Sequence, residues 1–541
     1  MRDLIIRPGL AIFSLMVLAF MIACTSGGDS QNQSTAPAAI QTIFDKPLYK
    51  NAIWGLRVVD LDKNVALINQ LPERQFFVGS VRKVFSVGEW LNQVGPATAY
   101  NTPVFRNGAV DSNGVLHGDL ILVASGDLTM GGRTNPDGSI AVSNYDHNEA
   151  DSLGNAVLTS PNPLAGYASL AHQVAQAGVK EIAGQVIIDD RLFRPFNFRG
   201  QFDVRPIFVN DDAVDMSINP GTVGGLASVV SRPVSAALRV NSTLSTRGPG
   251  AKTLLEFNAF PAHIGTPGCT ASIGGELATD YLPPLTNRFP LVQTFRIVQP
   301  SNYARTVFIE QLQAAGVKVD APVVAENPTP LLPPRGSYPA SSKVAQLAGM
   351  TVANDAKLIL KVSYNIGADT SLVLYGLTQG VDNINAALSK EKVNLSTNYG
   401  IPDSQYAFVD GSGGGNTTAT SVAVTQMLTQ LRSRPTFTSF LDALPILGVD
   451  GSLSFVTDFE SDSSLAGAKG QVHAKTGTFV EGSAKVLVLK GQDFAGYINA
   501  KSGRHLVYQL VVNNVPINEV TDVIKVFQDE GTISAILWRD F

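Results

Sequence analysis

The chain has 541 residues, 44% of them hydrophobic and 16% charged, an ordinary globular composition. That length exceeds what a single hydrophobic core organises and implies two or three domains. A net charge of −5 argues against nucleic acid as a partner.

Arg2 and Arg7 precede an apolar run from Leu10 to Ala23, and Cys24 follows directly. Residues 1–23 read as a secretory signal peptide, too short for a comfortable membrane span. "MIAC" resembles the lipobox of bacterial lipoproteins, with Met21 where leucine is usual. The resemblance implies lipidation of Cys24 and an exported, periplasmic or cell-envelope protein anchored to a membrane. Residues 24–40, beginning with the polar "TSGGDSQNQSTAPAA" after Cys24, read as a flexible tether. Cys269 is the only other cysteine. It would have no disulfide partner, and no basic neighbour in "GTPGCTAS" would activate it, so it is expected to be a packed thiol.

"IWGLRVVD" and "NVALINQ" alternate apolar residues as a β-hairpin does. In "FFVGSVRKVFSVGEWL" the spacing of Ser80, Lys83, Val84, Val87 and Leu91 puts all five on one helical face. From about residue 96 to 340 the texture changes to short strands, glycine turns and proline-rich pieces, closed by the helix-like "YARTVFIEQLQAAGVKV". "NPTPLLPPRGSYP" reads as a boundary loop. Helical pattern returns in "VANDAKLILKV" and "DTSLVLYGL". Three strands follow, in "GQVHAKTGTF", "DFAGYINA" and "HLVYQLVVNN", and "EVTDVIKVFQ" begins a last helix. The simplest α+β architecture joins 41–95 to 341–541 in one domain, with 96–340 as a mainly β insertion.

The six histidines form no HExxH pair, and no cysteine cluster suits zinc, so no metal or cofactor is expected. No GxSxG elbow and no P-loop is present. Serine and lysine remain. Ser80–Lys83 is an SxxK, Ser363-Tyr-Asn365 an SxN, and Lys475-Thr476-Gly477 a KTG continued by Thr478. Ser389–Lys392 is a second SxxK, but it lies in the charged "LSKEKVN" and reads as a solvated helix end.

The ordered set SxxK, SxN, KTG resembles the penicillin-recognising serine enzymes. More narrowly, the chain resembles the D-alanyl-D-alanine carboxypeptidase/endopeptidase family of class C low-molecular-mass penicillin-binding proteins, which carry a large insertion between SxxK and SxN. "GDLTM", "GQVIIDDRLF", "DGSG", "GVDGSL" and "AKTGT" are further matches. "DGSGGGNTT" departs from the family by lacking an LSR continuation, and about ten residues around "EGSAKVLVLKG" are added after KTGT. The resemblance implies a β-lactamase-like transpeptidase domain, an antiparallel five-stranded sheet flanked by helices and built from both chain ends.

Serine needs a base to be a nucleophile, and without a suitable histidine Lys83 is the candidate base for Ser80. Ser363 and Asn365 could relay a proton and hold the substrate amide, or simply cap a helix. Lys475 and Thr476 on a sheet edge would hold a carboxylate. Gly477, lacking a side chain, would let a peptide lie along that edge. By resemblance, the N–H groups of Ser80 and Thr478 form the oxyanion hole. Asp410 and Ser412 fit either a site role or a structural turn. The resemblance implies peptidoglycan stem peptides as substrates and β-lactams as covalent inhibitors. The competing readings are an esterase or β-lactamase on this scaffold, and a non-catalytic cell-wall-binding lipoprotein.

Overall fold

The computed structural model describes residues 36–150, 154–258, 263–483, 486–518 and 522–541. The signal segment and Cys24 lie outside the described residues. Both ends of the chain contribute to one antiparallel five-stranded sheet. Its strands run in the order Val65–Gln70, Ile53–Asp60, His505–Ile517, Val486–Asn499 and Val472–Ser483. Along His505–Ile517, Leu506, Tyr508, Leu510 and Val512 enter one core, whereas Val507 and Val511 enter another. Apolar residues in both phases of a two-residue period are what a sheet covered on both faces requires.

One face is covered by the helices Ala38–Phe44 and Asp522–Asp540, through Ile40, Val526 and Leu537 among others. Against the other lies a helical layer: Lys83–Val94, Val352–Lys361, Asn365–Thr378, Ile384–Tyr399 and Ser421–Arg432. The Lys83–Val94 helix is buried on all sides over its first nine residues, not only along the stripe seen in sequence, because it runs through the middle of this layer. The result is the expected α+β fold. Val472–Ser483 is the last strand of the sheet; its outer side is bridged at the start, where Ile446 lies opposite His473, and among the described residues meets no further strand beyond that.

The central stretch has its own core and several sheets. The largest contains Thr102–Val110 and Val115–Val123 and is completed by Lys343–Leu347. Pro300–Ala314 is the helix expected near the end of this stretch. A second helix, Ala165–Gln176, was not expected. Tyr167, Leu170, Ala171 and Val174 are its buried face, a helical i, i+3, i+4, i+7 spacing that the surrounding glycine turns and short strands obscure. Arg133 spans a buried acidic cluster here, with Nη1 2.6 Å from Asp146 Oδ2, Nε 3.0 Å from Asp211 Oδ2, and His147 beside both acids.

Two local features differ from the sequence reading. The tether of residues 24–40 overlaps the helix Ala38–Phe44, where Ile40 is fully buried, so the chain is already packed before residue 41. The added "EGSAKVLVLKG" residues lengthen the pair Val472–Ser483 and Val486–Asn499 into a hairpin whose register runs out to Ser483 and Val486.

Candidate active site

Ser80 lies in a single 3-10 turn, Gly79–Arg82, between the short strand Phe76–Phe77 and the Lys83–Val94 helix. The α-helix therefore begins at Lys83 and not at Ser80. Gly79 has φ +47°, and a Cβ there would stand 2.8 Å from the backbone nitrogen of Thr478. Only glycine satisfies both the dihedral and the approach. Gly477 answers a related demand, because a Cβ on it would lie 2.1 Å from the Val78 carbonyl oxygen. Its missing side chain seats the Ser80 turn on the edge strand. The room expected there for a peptide is occupied by Val78.

Lys83 is fully buried. Its Nζ lies 2.6 Å from Ser80 Oγ, 2.6 Å from Asn365 Oδ1, 3.0 Å from the Ser412 carbonyl oxygen and 3.3 Å from Ser363 Oγ. Burial above all, then the cations Lys475 and Arg199, push this amine well below the usual lysine range, while Asp369 and Asp410 pull the other way. The neighbours suit a neutral amine. Its two N–H bonds have two pure acceptors, Asn365 Oδ1 and the Ser412 carbonyl, which leaves the lone pair for the Ser80 hydroxyl.

Ser363 connects the helices Val352–Lys361 and Asn365–Thr378 and holds φ +56°, uncommon for a residue other than glycine. Ser363 and Asn365 both reach Lys83, while Tyr364 between them is buried in the helical core. That accounts for the tolerance of tyrosine in the middle of this SxN. Lys475 Nζ donates to Ser363 Oγ at 3.0 Å and to the Thr476 carbonyl at 2.8 Å. Thr476 Oγ1 is 2.7 Å from Ser452 Oγ of "GVDGSL", whereas Thr478 is exposed and its hydroxyl donates to Gln492 Oε1 at 2.9 Å.

The "DGSGGG" segment closes the site from the other side. It lies between the short strands Tyr406–Ala407 and Thr418–Ala419, and the second of these pairs with Phe76–Phe77 just before Ser80. The Asp410 carboxylate accepts the N–H groups of Ser412, Gly413 and Gly414. Burial would raise its pKa, but Arg199 and these N–H groups hold it below the usual carboxylate range. Asp410 is thus a turn former, and Ser412 reaches the centre through its carbonyl.

Three neighbours of the site went unread in the sequence. Arg82, fully buried between Ser80 and Lys83, forks onto Glu391 at 2.7 and 2.5 Å and donates to the Asp410 carbonyl at 2.8 Å. Asp369, buried on the Asn365–Thr378 helix, accepts the Gly411 N–H at 2.9 Å; burial first, then the Asp410 charge, raise it to about 7. Arg199 arrives from the central stretch, with Nη2 2.9 Å from Ser412 Oγ. Arg82 has a sequence signal, a charge inside an otherwise apolar stretch. Asp369 and Arg199 depend on tertiary contacts alone. Elsewhere, Ser389 of the second SxxK is exposed and bonds the Asn385 carbonyl of its own helix. Cys269 is buried, which pushes its thiol pKa up.

The sequence profile of the D-Ala-D-Ala carboxypeptidase 3 (S13) family matches residues 36–204 and 272–529. The chain belongs to that family. It is a serine peptidase, a hydrolase, as the motifs imply. Among solved structures, it is similar to penicillin binding protein 4 from Haemophilus influenzae. The identity is 16% and the TM-score 0.66, over 92% of this chain and 99% of that one. The same protein complexed with a β-lactam matches at a TM-score of 0.62, with the same identity and coverage. At that identity the likeness is one of fold. No curated protein sequence matches the chain.

Proposed function

We propose that this protein is a D-alanyl-D-alanine carboxypeptidase/endopeptidase acting on peptidoglycan stem peptides through a Ser80 acyl-enzyme. The observation that carries this reading is the buried Lys83 amine, 2.6 Å from Ser80 Oγ with its N–H bonds engaged by Asn365 and the Ser412 carbonyl. Ser80 Oγ attacks the scissile carbonyl carbon and its proton passes to Lys83 Nζ. The N–H groups of Ser80 and Thr478 receive the oxyanion, a contribution of about 3 kcal/mol per donor. The C–N bond then breaks, and the leaving amine takes a proton from Lys83 by way of Ser363. Water, deprotonated by Lys83, hydrolyses the ester and restores Ser80. Lys475, with Thr476 and Thr478 beside it, holds the carboxylate of the departing D-alanine, and the edge of Val472–Ser483 beyond Ala474, where the pairing with residues 445–447 ends, receives the peptide as an added strand. The division into a split peptidase domain, 41–95 plus 341–541, and an inserted 96–340 domain belongs to this reading, except that the helix Ala38–Phe44 packs with the peptidase sheet and the strand Lys343–Leu347 with the insertion.

Family membership and the fold shared with a penicillin binding protein support β-lactams as covalent inhibitors. Intact mass after incubation with benzylpenicillin tests the assignment. The mass should rise by one penicillin, peptide mapping should place the adduct on Ser80, and Ser389→Ala should leave it unchanged. An adduct on Ser389 or Ser412, or none on folded protein, sinks the reading.

The protein acts outside the cytoplasm, held by a lipid on Cys24. Among the described residues, no helix is long and apolar enough to cross a membrane. Cys24→Ser should move the mature protein into the soluble fraction, since stable anchoring depends on the attached chains.

A further inference from the structure

The segment after Asp410 is almost devoid of side chains: four of the five residues from Gly411 to Gly415 are glycine. Glycine loses more conformational freedom on ordering than any other residue and brings nothing to pack. Yet this loop carries the Ser412 carbonyl that Lys83 needs. Most of what fixes it is local to the peptidase fold: Asp410 on three backbone N–H groups, Asp369 on Gly411 N–H, Ser86 on the Gly411 carbonyl, and Arg82 on the Asp410 carbonyl. One anchor comes from the central stretch, on a hairpin whose Phe196, Phe198 and Phe202 pack into the core of the helical layer.

That anchor is Arg199, at the turn between the strands Phe196–Phe198 and Phe202–Val204. It holds φ +52°, and its guanidinium lies over the Phe198 ring at 4.9 Å from the centroid. Nη2 donates to Ser412 Oγ at 2.9 Å, and Nε stands 3.8 Å from Asp410 Oδ2. A Cβ on Gly414 would lie 2.5 Å from Asp410 Oδ2 and 2.7 Å from Arg199 Nε, so a side chain there would crowd both members of this pair. The positive φ of Arg199 and of Gly200 belongs to the tight turn closed by the Gln201 N–H on the Phe198 carbonyl at 2.9 Å, which sets the arginine at the tip of the hairpin.

We propose that Arg199 is a positioning residue for acylation, through which the central insertion fixes Ser412, and with it the carbonyl that engages Lys83, while facing Lys83 with a second cation. This rests on Ser80 and Lys83 acting as nucleophile and base. The charged and titratable groups that face Lys83 are Lys475, Arg199, Asp410 and Asp369, the last raised to about 7, and removing one cation among them makes the amine easier to protonate.

The test uses the full chain and measures Ser80 acylation by benzylpenicillin and by a small uncharged ester, from about pH 5 to about pH 9. Arg199→Ala should slow both reagents by about tenfold or more, the usual scale for a displaced catalytic group. It should also move the acidic limb of the rate–pH profile upward, because Lys83 loses a neighbouring cation. Arg199→Lys should return the limb towards its original place while recovering only part of the rate, because an ammonium lacks the planar donor set of a guanidinium. An unchanged rate overturns the proposal. So does a slower rate with an unmoved limb, or a loss confined to penicillin, which would make Arg199 a substrate contact. Absence of any adduct on wild-type Ser80 would instead remove the acyl-enzyme reading on which the proposal stands.

Discussion

Lys83 and Lys475 approach the same hydroxyl: Ser363 Oγ lies 3.3 Å from one amine and 3.0 Å from the other. Two amines sharing an acceptor in a buried site cannot both be charged without cost. Burial and the charge of Lys475 both favour the neutral form of Lys83. In the proposed mechanism, that coupling leaves Lys83 as the base and Lys475 as the cation that receives the carboxylate.

Lys475→Ala should therefore weaken turnover of substrates with a free terminal carboxylate more than that of neutral esters, because it removes a charge-assisted bond to the carboxylate. Comparing kcat/KM for a D-Ala-D-Ala peptide and a matched ester checks this. An equal fall in both would assign Lys475 to the proton network through Lys83 and not to the carboxylate.

Lys83→Ala should slow acylation of Ser80 by roughly 10²–10⁴-fold, the range for losing a general base, without moving the adduct. The side chain is buried and bonds Ser363, Asn365 and the Ser412 carbonyl, so a parallel melting measurement is needed to separate chemistry from folding. A folded variant acylated at the wild-type rate would remove Lys83 from its role.

The elements legible in the sequence are those whose signal is local. Alternation in "IWGLRVVD" and the apolar run in "HLVYQLVVNN" mark strands that pair along their length, from Ile53 opposite Asn513 to Asp60 opposite Leu506. The order of SxxK, SxN and KTG singled out side chains that meet around Lys83. What could not be read depends on partners distant in sequence. Arg199 is 213 positions from Ser412 and has no periodicity of its own. Asp369 opens the helical "DTSLVLYGL" beside Thr370 and Ser371, with nothing local to single it out, and its contact with Gly411 belongs to the folded chain. At Gly477 the residue type was informative but the reason differed, since the Val78 carbonyl fills the space.

Arg82 and Glu391 join the nucleophile turn to the Ile384–Tyr399 helix in a buried, bidentate pair. Glu391→Ala removes the bidentate partner of the buried Arg82 guanidinium and leaves only the neighbouring Glu89 carboxyl to answer its charge, a change of about 3–5 kcal/mol. A large fall in the urea midpoint should follow, together with slower acylation, because Arg82 also holds the Asp410 carbonyl. Stability within a few tenths of a kcal/mol of wild type would show that water or a repacked side chain compensates the charge.

Asp369 supplies a pH dependence of definite sign. Its carboxyl is raised from 3.8 to about 7, by burial first and by Asp410 second. A group whose folded pKa lies above its unfolded value contributes stability in full below the unfolded pKa. That contribution is lost as pH rises through the folded one. Between about pH 4 and pH 7 the unfolded chain ionises Asp369 while the folded chain keeps the proton, so this residue penalises folding increasingly across that window. Asp369→Asn preserves the shape and cannot ionise. Its amide oxygen still accepts the Gly411 N–H. The difference in unfolding free energy, variant minus wild type, should rise by a few kcal/mol between pH 4 and pH 7 and level off above it. Urea titrations of both proteins at a series of pH values measure that difference directly. A difference that stays flat, or falls with pH, would mean that Asp369 is already ionised in the folded protein, stabilised by Arg199 and Lys83 more strongly than burial opposes it.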